Sequence, residues 1–82
     1  MFSKELTLGG HKRSFMVSAV RSSGWEVRVE QDSDLVRSTR YFDWHRVERA
    51  ISAIEREVSK LEAQGWRTTA GTTAEAAQST NR

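Results

Sequence analysis

Residues 43–61 read DWHRVERAISAIEREVSKL, and the period of this stretch decides the fold. Its large apolar residues, Trp44, Val47, Ile51, Ile54, Val58 and Leu61, fall at alternating intervals of three and four, with Ala50 beside them. That spacing places them on one stripe of a helix with 3.6 residues per turn. Asp43 suits the N-cap, where its carboxylate accepts from free amides of the first turn and meets the positive end of the helix dipole. At the other end Gly65 fits the left-handed position after the last turn. With Gly65 at C′, Leu61 and Trp66 become the apolar pair of a Schellman ending.

Upstream of Asp43 the period drops to two, the mark of half-buried strands. Phe2, Leu6 and Leu8 share one face of a first strand, and Gly9-Gly10 makes a tight reversal into a second at about residues 12–21. There Phe15, Val17 and Ala19 oppose Met16, Ser18 and Val20. Beyond the turn at Ser22-Ser23-Gly24, Trp25, Val27 and Val29 alternate with Glu26, Arg28 and Glu30. Gln31-Asp32-Ser33-Asp34 is a further polar turn, and Leu35 to Phe42 forms a fourth strand whose facing the pattern leaves open. The expectation is an α+β domain over residues 1–67, a four-stranded antiparallel meander packed on one long C-terminal helix. From Thr68 onward no large apolar residue occurs, so nothing offsets the roughly 1–2 kcal/mol per residue needed to order the backbone. Residues 68–82 are therefore expected to form a disordered tail.

Composition narrows the chemistry. The 82 residues carry 13 basic and 11 acidic side chains and no cysteine, which excludes disulfides, thiolate nucleophiles and cysteine-ligated metals. No apolar run approaches the length of a signal sequence or membrane span. A soluble, cytoplasmic protein with no membrane contact is expected. His11 reads as a surface residue, and in Asp43-Trp44-His45 the two polar side chains do not face each other on a helix. Glu26 and Glu30 share a strand face with Arg28 between them, an ion-pair ladder in place of an acid-base couple. With no phosphate loop, dinucleotide fingerprint or zinc signature, the reading assigns no catalytic, cofactor or metal residue and predicts no enzyme and no cofactor.

Charge is uneven along the chain. Residues 1–42 hold seven basic and five acidic residues, and residues 43–65 hold four and five, so the sheet is the basic layer. Lys12, Arg13, Arg21, Arg28, Arg37 and Arg40, with Tyr41 as a stacking platform, are the candidate nucleic-acid-binding residues.

The order of elements, with turns at Gly9-Gly10, Ser22-Ser23-Gly24 and Asp32-Ser33-Asp34 and a single long helix from Asp43-Trp44, resembles the single-stranded-DNA-binding coactivator fold. Positive-cofactor-four, Pur-repeat and Whirly proteins share that fold. The resemblance covers residues 2–65 and implies a dimer that binds nucleic acid on a basic, aromatic sheet face. The order is also similar to small antitoxin-type domains, which would make the partner a protein. Two functions follow: a non-enzymatic protein-interaction or assembly domain, or a dimeric single-stranded DNA or RNA binder. A homodimer is expected in either case, because about 65 ordered residues leave a small core, an open sheet face and two unpaired strand edges.

Overall fold

A computed structural model of the chain describes residues 2–72. The meander is β1 (Phe2–Leu8), β2 (His11–Ala19), β3 (Trp25–Gln31) and β4 (Asp34–Tyr41), followed by the helix α1 (Trp44–Ala63) and a short strand β5 (Arg67–Thr72). All pairings are antiparallel, in the order β4-β3-β2-β1-β5. The α+β class, the four-strand meander and the packed helix are as the periodicity predicts.

Alternation within the strands sets one sheet face against the helix. Phe2 and Leu6, Phe15 and Val17, and Val27 and Val29 are buried there beneath Val47, Ile54, Val58 and Leu61, with Trp25, Tyr41, Ala50, Ile51 and Trp66 partly buried around them. The helix stripe from Val47 to Leu61 is thus turned to the sheet, while Trp44 stays 40% exposed beside Trp25. Arg13, on the same sheet face, reaches up to Glu57 of the helix at 3.2 Å.

Both helix ends form as their residues dictate. The Asp43 carboxylate accepts from the His45 amide at 3.0 Å. At the C-terminus Trp66 N–H donates to the Leu61 carbonyl and Gly65 N–H to that of Glu62, each at 3.0 Å, with Gly65 at φ +109°. These two bonds are the Schellman pair.

Past Trp66 the structure departs from the expectation. Residues 68–72, assigned to a disordered tail, continue β5 along β1, which is therefore an interior strand and not an edge. The pairing draws on the backbone ladder and on threonine hydroxyls, neither of which shows in a hydrophobic pattern. The register shifts between Glu5 and Leu6, where the Thr69 hydroxyl donates to the Glu5 carbonyl at 3.2 Å, and Thr68 donates to Glu62 at 2.7 Å. The rest of that expected tail, residues 73–82, lies outside the described residues. The chain returns beside the helix end, where Leu61 is buried and Gly65 sits against Leu8.

Candidate functional site at the β4 edge

β4 decides what the molecule exposes. It pairs with β3 on one side only. Tyr41, Thr39 and Arg37 lie opposite Trp25, Val27 and Val29 on the helix side, after which the register shifts so that Glu30 faces Leu35. This irregularity interrupts the alternation, and it is why the sequence left the facing of β4 open. Leu35 and Val36 both reach solvent, at 54% and 56% exposure.

The seven candidate residues do not form one surface. Lys12 and Arg28 lie on the open sheet face, each beside a carboxylate: Lys12 is 3.5 Å from Glu5 and Arg28 is 3.1 Å from Glu30. With Arg40, Arg67 and Glu26 also on that face, four cations stand against three carboxylates. The basic sheet layer inferred from chain-half charges is therefore a mixed face with an excess of one cation. Arg13 lies on the opposite side, paired with Glu57, and Arg21 is exposed in the β2–β3 connection. Only Arg37, Arg40 and Tyr41 come together, at the β4 edge.

Two residues that the sequence reading assigned to a neutral helix join them. Arg46 and Arg49 flank Tyr41 in a depression floored by Ala50 and Ala53. A second hollow runs beneath the helix between Arg37, Thr39, Tyr41 and Ala53, about 260 Å³ in volume. A third joins Arg40, Phe42 and Arg46. The signal was in the sequence: Arg46, Arg49, Ala50 and Ala53 form a second helical stripe beside the core stripe, and its alanines leave room where larger residues would close on β4.

The electrostatics of this cleft are one-sided. The carboxylates along it are already engaged, Glu57 with Arg13 and Asp43 with the helix amide. None of the ion pairs among the described residues involves Arg37, Arg40, Arg46 or Arg49. The Arg40 guanidinium instead stands 5.9 Å from the centre of the Phe42 ring. Among the described residues no cluster of histidines and carboxylates has metal-site geometry, and no helix is long and apolar enough to cross a membrane.

No family model, curated protein or solved structure matches the chain.

Proposed function

We propose that the protein is a cytoplasmic, non-enzymatic protein-interaction domain that engages its partner through the β4 edge. The observation that carries this reading is an eight-residue strand open on one side, with Leu35, Val36 and Phe42 exposed along it, Phe42 at 66%. Half the N–H and C=O groups of an edge strand point away from the sheet and serve as a template for another backbone. The other edge of the sheet is shorter, at six residues. A partner other than a second copy fits best, because a symmetric β4 contact would bring Arg37 and Arg40 of both copies together.

The four arginines beside Tyr41 and Phe42 favour a second reading, nucleic-acid binding at the same cleft. The open sheet face, which the coactivator-like fold would use, is mixed in charge, four cations to three carboxylates, and its central strands carry Met16 as their large apolar side chain. That weighs for protein over nucleic acid. The test places a photo-crosslinking residue at Val36 and, separately, at Ser14 on the open face, in cells. A discrete protein adduct from Val36 alone supports the reading. Adducts from Ser14 alone overturn it, as does oligothymidylate binding that weakens steeply between about 50 and about 200 mM salt.

A further inference from the structure

We propose that the cleft between β4 and the first half of α1 binds an extended acidic segment of another polypeptide, added to the sheet as a sixth strand. The proposal rests on the protein-interaction reading and names its partner chemistry.

Two features of different kind coincide here. One is the unpaired backbone of β4, about 26 Å long at 3.3 Å per residue. The other is the set of four guanidiniums with no carboxylate partner among the described residues. Arginine presents a planar fork that holds a carboxylate through two parallel hydrogen bonds. An added strand would alternate its side chains, sending one set toward the helix side, where Arg37, Arg46 and Arg49 stand, and the other toward Arg40 on the open side. Acidic residues two apart thus meet the helix-side arginines. An apolar residue at one end meets Leu35 and Val36.

The same features argue against other occupants. A nucleic-acid strand supplies phosphates but no row of alternating N–H and C=O to complete the ladder. Tyr41 packs against the core cluster and one side of Phe42 is taken by Arg40, which leaves a single open ring face and no row of rings on which successive bases could stack. Among the described residues a second copy offers no suitable strand: apart from Asp34 on β4 itself, the acidic strand residues Glu5, Glu26 and Glu30 lie on β1 and β3, each paired on both sides.

The experiment is an NMR titration of the full-length, isotope-labelled protein with a synthetic peptide, Glu-Thr-Glu-Val repeated twice, at up to about 1 mM, the range of weak generic binding. Saturable shifts on residues 35–42 and 46–53, with Ser14 and Met16 unmoved, are expected. Affinity should fall at least about tenfold for Arg37→Glu combined with Arg46→Glu, two exposed positions. It should fall comparably when the wild type meets a peptide of equal charge N-methylated at alternate residues, which keeps the electrostatics and removes the ladder. No shifts at the highest concentration, equal binding of the N-methylated peptide, shifts centred on the open face, or tighter binding of oligothymidylate at the same residues would each overturn the proposal. If the peptide fails while Val36 still crosslinks to protein in cells, the acidic-segment proposal falls and the interaction reading stands.

Discussion

Asp32 shows how much one residue settles. With Ser33 it forms the two-residue turn between β3 and β4, and both have positive φ, +53° and +73°, the backbone of a tight hairpin with matching twist. Its carboxylate accepts from the Lys12 amide at 2.8 Å and from His11 Nδ1–H at 3.0 Å, tying the turn to the start of β2. The His11 bond first, and the Lys12 amide second, hold the Asp32 carboxyl below its ordinary value of 3.8. A lowered folded-state pKa means that the ionised carboxylate stabilises the fold. This contribution is complete above the unfolded value and is lost as pH falls below it. Denaturant unfolding across pH should therefore show a downturn below about pH 4 that is smaller in Asp32→Asn. An identical downturn in the variant would assign the acid sensitivity elsewhere.

Gly24 is decisive in a different way. It adopts φ +82°, and a Cβ there would stand 2.5 Å from the Tyr41 carbonyl and 2.9 Å from the Phe42 ring. Gly24→Ala should cost about 2–4 kcal/mol, from left-handed strain and overpacking together. A thermal melt checks it, and an unchanged melting temperature would show that the β4–α1 junction yields freely. The sequence identified a turn at Ser22-Ser23-Gly24. It did not show that this turn abuts the end of β4 and thereby helps to set the cleft, because that contact joins residues far apart in the chain.

Among the elements, α1 was legible because every signal agreed: stripe, cap and Schellman glycine all name the same boundaries. Trp66 is the residue that links the helix to β5. It is half-buried against the core, with its amide closing the helix, and Trp66→Ala should cost about 2 kcal/mol, less than a fully buried aromatic. A loss below about 0.5 kcal/mol in denaturant unfolding would show that this end of the helix stands without the tryptophan. β5 was illegible because Thr68-Thr69-Ala70-Gly71-Thr72 has no alternation of apolar residues, and its pairing is a property of the chain beside β1. The candidate cleft was half legible for the same reason. Arg37, Arg40 and Tyr41 were selected by counting charge and aromatics along the strands, whereas Arg46 and Arg49 count as neutralised until the fold shows Glu57 turned to Arg13 and Asp43 to the helix amide.

For the whole molecule, the arrangement of charge explains how a sheet with one bare face and a long edge at β4 is managed. The bare face carries ion pairs and a hydrogen bond, Lys12 with Glu5, Arg28 with Glu30, and Ser38 donating to Glu26 at 2.7 Å. Such a surface suits water more than a partner. One of the features from which the sequence reading expected a dimer is altered: β1, expected at an edge, is covered by β5. Of the two edges that are left, β5 is the shorter; at β4, Arg37 and Arg40 oppose self-pairing as edge charges do in other sheets. Neutralising them should release it. Arg37→Thr combined with Arg40→Thr keeps strand propensity and exposes Leu35 and Val36 without guarding charge. Light scattering behind a sizing column should then move from 9.3 kDa toward twice that mass at about 100 μM, a concentration at which micromolar contacts are populated. High salt, which screens the arginines, should push the wild type the same way. If the double variant stays at the mass of one chain, the arginines do not hold β4 edges apart, and the bulge that splays Leu35 and Val36 is the stronger guard of that edge.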